Sequence, residues 1–77
     1  NMSVQTSRRT LRIGNTGDDV KALQNFLNNF DFGPLVEDGV FGAKTEAAVK
    51  RYQNSRGLLA DGIVGPNTWA RINHDLG

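Results

Sequence analysis

The sequence predicts an all-α fold: a compact three-helix domain in which two extended Asp-Gly-x-x-Gly segments each feed a helix. Three observations predict it. Apolar residues recur at helical spacing in two stretches, a proline opens a third, and one turn-and-helix unit occurs twice, 23 residues apart. The chain has 77 residues, 38% of them apolar and none of them cysteine. By area scaling that is a single domain burying about 62% of its extended surface, so its core must be small and well placed.

Residues 1–10 hold only Met2 and Val4 as apolar groups and show no period. They read as a flexible linker or an appended remnant, leaving residues 11–77 as the domain. At Thr16-Gly17-Asp18-Asp19 a Thr hydroxyl and an Asp three residues on can cap a helix start, and an acidic first turn suits the helix dipole. Val20, Leu23, Phe26, Leu27 and Phe30 then mark one face of a helix over about 18–30. Gly33-Pro34 and Asp38-Gly39 stop it and turn the chain. A second helical pattern runs from Ala43 to about Ser55, with Ala47, Ala48, Val49 and Tyr52 inward, Lys44, Glu46, Lys50 and Arg51 outward, and Gly57 at a left-handed C-terminal cap. After the Asp61-Gly62 turn, Pro66 opens a short third helix whose apolar pair is Trp69 and Ile72.

The repeat is the most informative feature. Asp38-Gly39-Val40-Phe41-Gly42-Ala43-Lys44-Thr45 aligns without a gap on Asp61-Gly62-Ile63-Val64-Gly65-Pro66-Asn67-Thr68. Gly39 and Gly62 permit positive φ in a tight turn, and the preceding Asp can accept amides two or three residues on. Both apolar residues of each copy are expected to plug the core. Gly42 and Gly65 fall at helix N-caps, and Thr45 and Thr68 at the third helical position, from which a hydroxyl can bond back to the cap. Asp38, Gly39, Phe41, Gly42, Thr45, Asp61, Gly62, Gly65 and Thr68 therefore read as scaffold. Gln24 and Gln53, each following an apolar helical residue, are expected to cap loop backbone from the helix flank.

These residues carry a resemblance. Leu11, Gly14, Gly17, Asp19, Val20, Leu23, Gln24 and Leu27 fit L-x-x-G-x-x-G-x-D-V-x-x-L-Q-x-x-L, and the two repeat copies fit D-G-x-F-G-x-x-T-x-x-A-V-x-x-[FY]-Q-x-x-x-G-L and D-G-x-V-G-x-x-T-W. From Leu11 to Ile72 the chain resembles the peptidoglycan-binding domain family, the three-helix wall-anchoring module of bacterial and phage lytic enzymes. The resemblance implies a non-catalytic module, without cofactor, covalently linked to a wall-active catalytic domain and acting outside the cytoplasm. Its partners would be glycan strands or stem peptides. A related domain forms part of the propeptide of matrix metalloproteinases, but the cysteine that silences those enzymes is absent here.

The inventory excludes other classes. Nine Lys and Arg against eight Asp and Glu give a net charge of +1, a small basic excess for a phosphate-binding surface. A helix-turn-helix DNA reader is the alternative reading, with Pro66 to Arg71 as its recognition element. No apolar run is long enough to span a membrane, and the polar first ten residues lack a signal-peptide core, so any export signal lies outside this chain. The one His, His74, has Asp75 beside it on the predicted helix, and adjacent helical residues face apart, so they cannot form a base and its orienter. No metal site is expected: ligands are too few for zinc, and Asp38 with Asp61 lacks a calcium loop's spacing. Trp69 reads as core and Tyr52 as core with a wet hydroxyl. Wall polymer offers amides, hydroxyls and stem carboxylates, which a shallow groove with cations and amide donors would hold. Lys44, Arg51, Tyr52, Gln53 and Arg56 are the candidate contacts, on a domain expected to be monomeric.

Overall fold

The computed structural model describes residues 8–77, which fold into α1 (Asp18–Asn29), α2 (Ala43–Ser55) and α3 (Pro66–Leu76). Helix α1 packs against α2. The core between the helices is Leu11, Val20, Leu23, Phe26, Leu27, Phe41, Ala48, Val49, Tyr52, Val64, Trp69 and Ile72, with Phe30, Phe32 and Leu35 packed around it. Tyr52 sits at its aromatic centre, edge-on to Phe26 and Phe32 at centroid distances of 5.3 and 5.4 Å.

The buried stripe of α2 is Thr45, Ala48, Val49, Tyr52 and Gln53, which is the i, i+3, i+4, i+7, i+8 spacing of a single helix face. Ala47, expected inward, is exposed. Two of the five stripe residues are polar, so an apolar count sets the phase of this helix wrongly. Helix α1 hides a polar residue in the same way, with Gln24 buried beside Leu23.

Both α1 and α2 close with paired left-handed caps. At Gly57, φ is 73°, and the Leu58 and Gly57 amides donate to the Gln53 and Asn54 carbonyls at 2.8 and 3.2 Å. At Asp31, φ is 68°, and Phe32 and Asp31 donate to Leu27 and Asn28 at the same two distances, 2.8 and 3.2 Å. The start of α1 departs from expectation. Its N-cap is Gly17, with no side-chain cap bond. Thr16 is held extended against Val40, while Asp19 accepts the Val20 amide at 2.9 Å and Arg9 at 2.6 Å.

The chain before α1 threads between the two repeat copies. Leu11 exchanges both backbone hydrogen bonds with Val64, at 3.0 and 2.8 Å. Further along, Gly14 and Gly17 donate to Phe41 and Gly39, and Phe41 donates to Asn15. In each extended segment only the second apolar residue enters the core. Phe41 and Val64 are buried, whereas Val40 is 50% exposed and Ile63 half-buried. Side chains alternate faces along an extended chain, so two neighbours cannot both point inward.

Residues 1–7 of the expected linker lie outside the described residues, while Arg8 and Arg9 reach Trp69 of α3. The Arg8 guanidinium lies 4.5 Å from the centroid of the Trp69 ring, and Trp69 Nε1 donates to the Arg9 carbonyl at 2.8 Å. Trp69 is core, as its helical pairing with Ile72 suggests, with its one polar atom satisfied by this backbone.

Candidate binding surface

Two buried glutamines organise the surface. Gln24 Oε1 accepts the Gly39 amide at 2.9 Å, and its Nε2 donates to Asp38 Oδ1, the Val40 carbonyl and Thr45 Oγ1 at 3.1, 3.0 and 3.1 Å. Gln53 makes the same set one copy later. Its Oε1 takes the Gly62 amide at 2.9 Å, and Nε2 reaches Asp61 Oδ1, the Ile63 carbonyl and Thr68 Oγ1 at 3.0, 2.9 and 3.1 Å. The Asp carboxylates close their turns by accepting the Val40 and Ile63 amides at 3.0 and 2.9 Å. Those amide bonds, with the glutamine donors, hold both carboxyls below the usual carboxylate range. Thr45 and Thr68 face the glutamines, and neither helix has a side-chain cap bond. A short hydroxyl buried beside an amide donor satisfies that amide in preference to the solvent-facing cap.

This geometry divides the five candidate contacts. Gln53 is 1% exposed, with both amide hydrogens engaged within the fold. Tyr52 is also buried, and its hydroxyl donates to Asp75 Oδ2 at 2.7 Å. Arg56 donates to the same oxygen at 2.8 Å, with its guanidinium 5.1 and 5.6 Å from the Tyr52 and Phe32 centroids. Arg51 donates to the Phe32 carbonyl at 2.7 Å. Arg51, Tyr52 and Arg56 therefore meet beside Phe32 at the C-terminal end of α2. Lys44 stands seven to twelve residues earlier, about 10–18 Å along the helix, and lines a separate groove.

Asp75 joins α3 to this cluster. Burial opposes its ionisation, but the bonds from Tyr52 and Arg56 and the charges of Arg56 and Arg71 outweigh it and hold the carboxyl below its usual range. The Tyr52 hydroxyl is pushed up, mainly by burial and then by its bond to Asp75. Sequence reading set Asp75 beside His74; the structure turns it toward Tyr52 and Arg56. The Arg71–Asp75 pair at i, i+4, 3.5 Å apart, is the one local signal that this face carries charge. Two arginines, Arg56 and Arg71, around one carboxylate leave the face cationic.

Among the described residues no three His, Cys, Asp or Glu gather closely enough to hold a metal ion. No helix there is long and apolar enough to cross a membrane. The model of the peptidoglycan-binding domain family matches residues 16–72. The chain belongs to that family.

The peptidoglycan-binding domain has close relatives in wall enzymes. It is 43% identical over 65 residues to the zinc D-Ala-D-Ala carboxypeptidase of Streptomyces albus G, covering 82% of this chain and 26% of that protein. An uncharacterised protein of Kitasatospora aureofaciens is 51% identical over 71 residues, covering 90% of this chain and 59% of the relative. The domain thus spans only part of these relatives. The crystal structure of the SleB N-terminal domain superposes with a TM-score of 0.87 at 32% identity, covering 92% of this chain and 97% of that one. The helix-turn-helix alternative gains no support. Its would-be recognition helix, α3, spends Trp69 and Ile72 on the core.

Proposed function

We propose that this domain binds the peptidoglycan of the bacterial cell wall, performs no chemistry itself, and holds a covalently linked wall-active enzyme to its insoluble substrate outside the cytoplasm. The family match from Thr16 to Ile72, which covers α1 and α2 and enters α3, carries this reading. Relatives support it by size, since the matched region fills about a quarter of the Streptomyces carboxypeptidase. Linkage raises effective concentration, so a monomeric domain of weak intrinsic affinity suffices.

The contacts are assigned by exposure. Arg51 and Arg56, beside Phe32, and Lys44 at the other end of α2 are the cations placed to meet the anionic groups of the wall. Tyr52 and Gln53 act as frame, positioning Arg56 and the second turn. Cosedimentation of the chain with purified sacculi is the test. Recovery above that of an unrelated small domain, with no fall in wall turbidity, is expected; recovery equal to the control overturns the reading.

A further inference from the structure

Two grooves on the domain are copies of each other. The first, of about 270 Å³, includes Val36, Asp38, Val40, Gly42 and Lys44 in its lining. The second, of about 220 Å³, is lined at the equivalent positions by Leu59, Asp61, Ile63, Gly65 and Asn67. Every residue lining one has its counterpart 23 positions along lining the other. The glutamine hubs build both floors alike, with Gly39 and Gly62 at the same φ of 76°.

The grooves carry features that the fold does not use. Val36 is 77% exposed and Leu59 80%, large apolar side chains left in solvent at the same place twice. All described bonds to Asp38 and Asp61 fall on Oδ1, so among the described residues Oδ2 of each is unengaged. Gly42 and Gly65 have ordinary extended backbone, φ −106° and −98°, and an added Cβ would meet nothing within 4 Å. Glycine is required there by neither angle nor crowding, and a side chain at either position would stand in the groove. A cation is associated with each groove, though not at matching positions in the repeat. Lys44 lines the first, and the charge of Arg12 reaches Asp61 at the second.

We infer that these grooves are two equivalent subsites for the peptide stems of peptidoglycan, each taking the zwitterionic, methyl-bearing end of one stem. The inference rests on the wall-binding reading above and names the stem peptide, instead of the glycan, as what is held. The ammonium of a diamino acid meets Asp38 or Asp61, its carboxylate meets the neighbouring cation, and alanine methyls cover Val36 or Leu59. Grooves this small take one or two amino-acid residues, being below the roughly 300 Å³ at which drug-sized sites begin. A repeating polymer then engages one domain at two places, and two weak contacts act together.

Titration calorimetry of the chain with a soluble disaccharide-tetrapeptide bearing a free diamino acid tests this. Two equivalent sites per chain are expected. Gly42→Asn or Gly65→Asn, each filling one groove while supplying a better N-cap, leaves one site and an undiminished Tm, and the double variant leaves none. Asp38→Asn and Asp61→Asn keep the Oδ1 acceptor and should weaken binding about fivefold, and acetylating the ligand's amine should weaken wild-type binding equally. One site in the wild type, or a double Asn variant that sediments with sacculi as well as the wild type, overturns the inference while wall binding stands. Wild type that fails to sediment overturns both. Self-association that groove filling abolishes would make these surfaces a contact between copies and overturn it as well.

Discussion

Asp31 and Gly57 occupy the same left-handed cap position, at φ 68° and 73°, yet only one is a glycine. Left-handed backbone costs a side-chain-bearing residue roughly 1–2 kcal/mol, part of which a glycine gives back through its freer unfolded chain. Asp31→Gly should therefore raise stability by about 0.5–1 kcal/mol, read as a higher urea midpoint at unchanged m-value. Gly57→Ala should lower it by about 1 kcal/mol in the same assay. Gly57 was legible in the sequence as a helix stop because glycine marks this geometry. Asp31 was not, since aspartate tolerates the same angle and also occurs in ordinary turns.

At the scale of elements, one glutamine from the preceding helix ties each extended segment to its own turn. Replacing Gln24 or Gln53 with Leu leaves a buried glycine amide and a buried threonine hydroxyl without partners, at a cost of about 2–4 kcal/mol each. Because the two hubs make the same bonds, the two losses should agree within about 1 kcal/mol in matched urea titrations. A loss confined to Gln53 would mean that the first hub is dispensable. The sequence reading placed these glutamines beside loop backbone. It missed that Thr45 and Thr68 complete the hubs and put Ala47 in the core, because polar residues supply part of the buried stripe and an apolar pattern cannot register them.

Across the whole molecule, carboxylates held low and an anchored N-terminal segment connect distant parts. Asp19, Asp38, Asp61 and Asp75 all titrate below 3.8 in the folded chain. A lowered folded value means that their stabilisation is complete above the unfolded value near 3.8 and is lost as pH falls through the folded one. Tm should be level from about pH 7 to 5 and drop steeply below about 4. Asp75→Asn should lower Tm at neutral pH and flatten the acid drop, since the bonds from Tyr52 and Arg56 no longer favour an ionised form. A pH profile as steep as wild type would remove Asp75 from this account. Starting the chain at Leu11 deletes the Arg9 carbonyl and the Arg8 guanidinium from Trp69. A red shift in tryptophan emission and a loss of about 1–2 kcal/mol are expected.

Local spacing and turn chemistry by themselves determined three helices and each Asp-Gly turn, because each is written within some dozen consecutive residues, and the family followed from a resemblance carried by motifs from Leu11 to Ile72. Tertiary structure alone decided which apolar neighbour turns inward at Val40-Phe41 and Ile63-Val64, where the glutamines and threonines meet, and that Leu11 pairs with Val64. It alone brought Asp75 to Tyr52 and Arg56, buried Gln53, separated Lys44 from the arginines, and opened two matching grooves. Those outcomes depend on how one element is rotated against another. That rotation is set by packing between residues far apart in the chain, which no local pattern encodes.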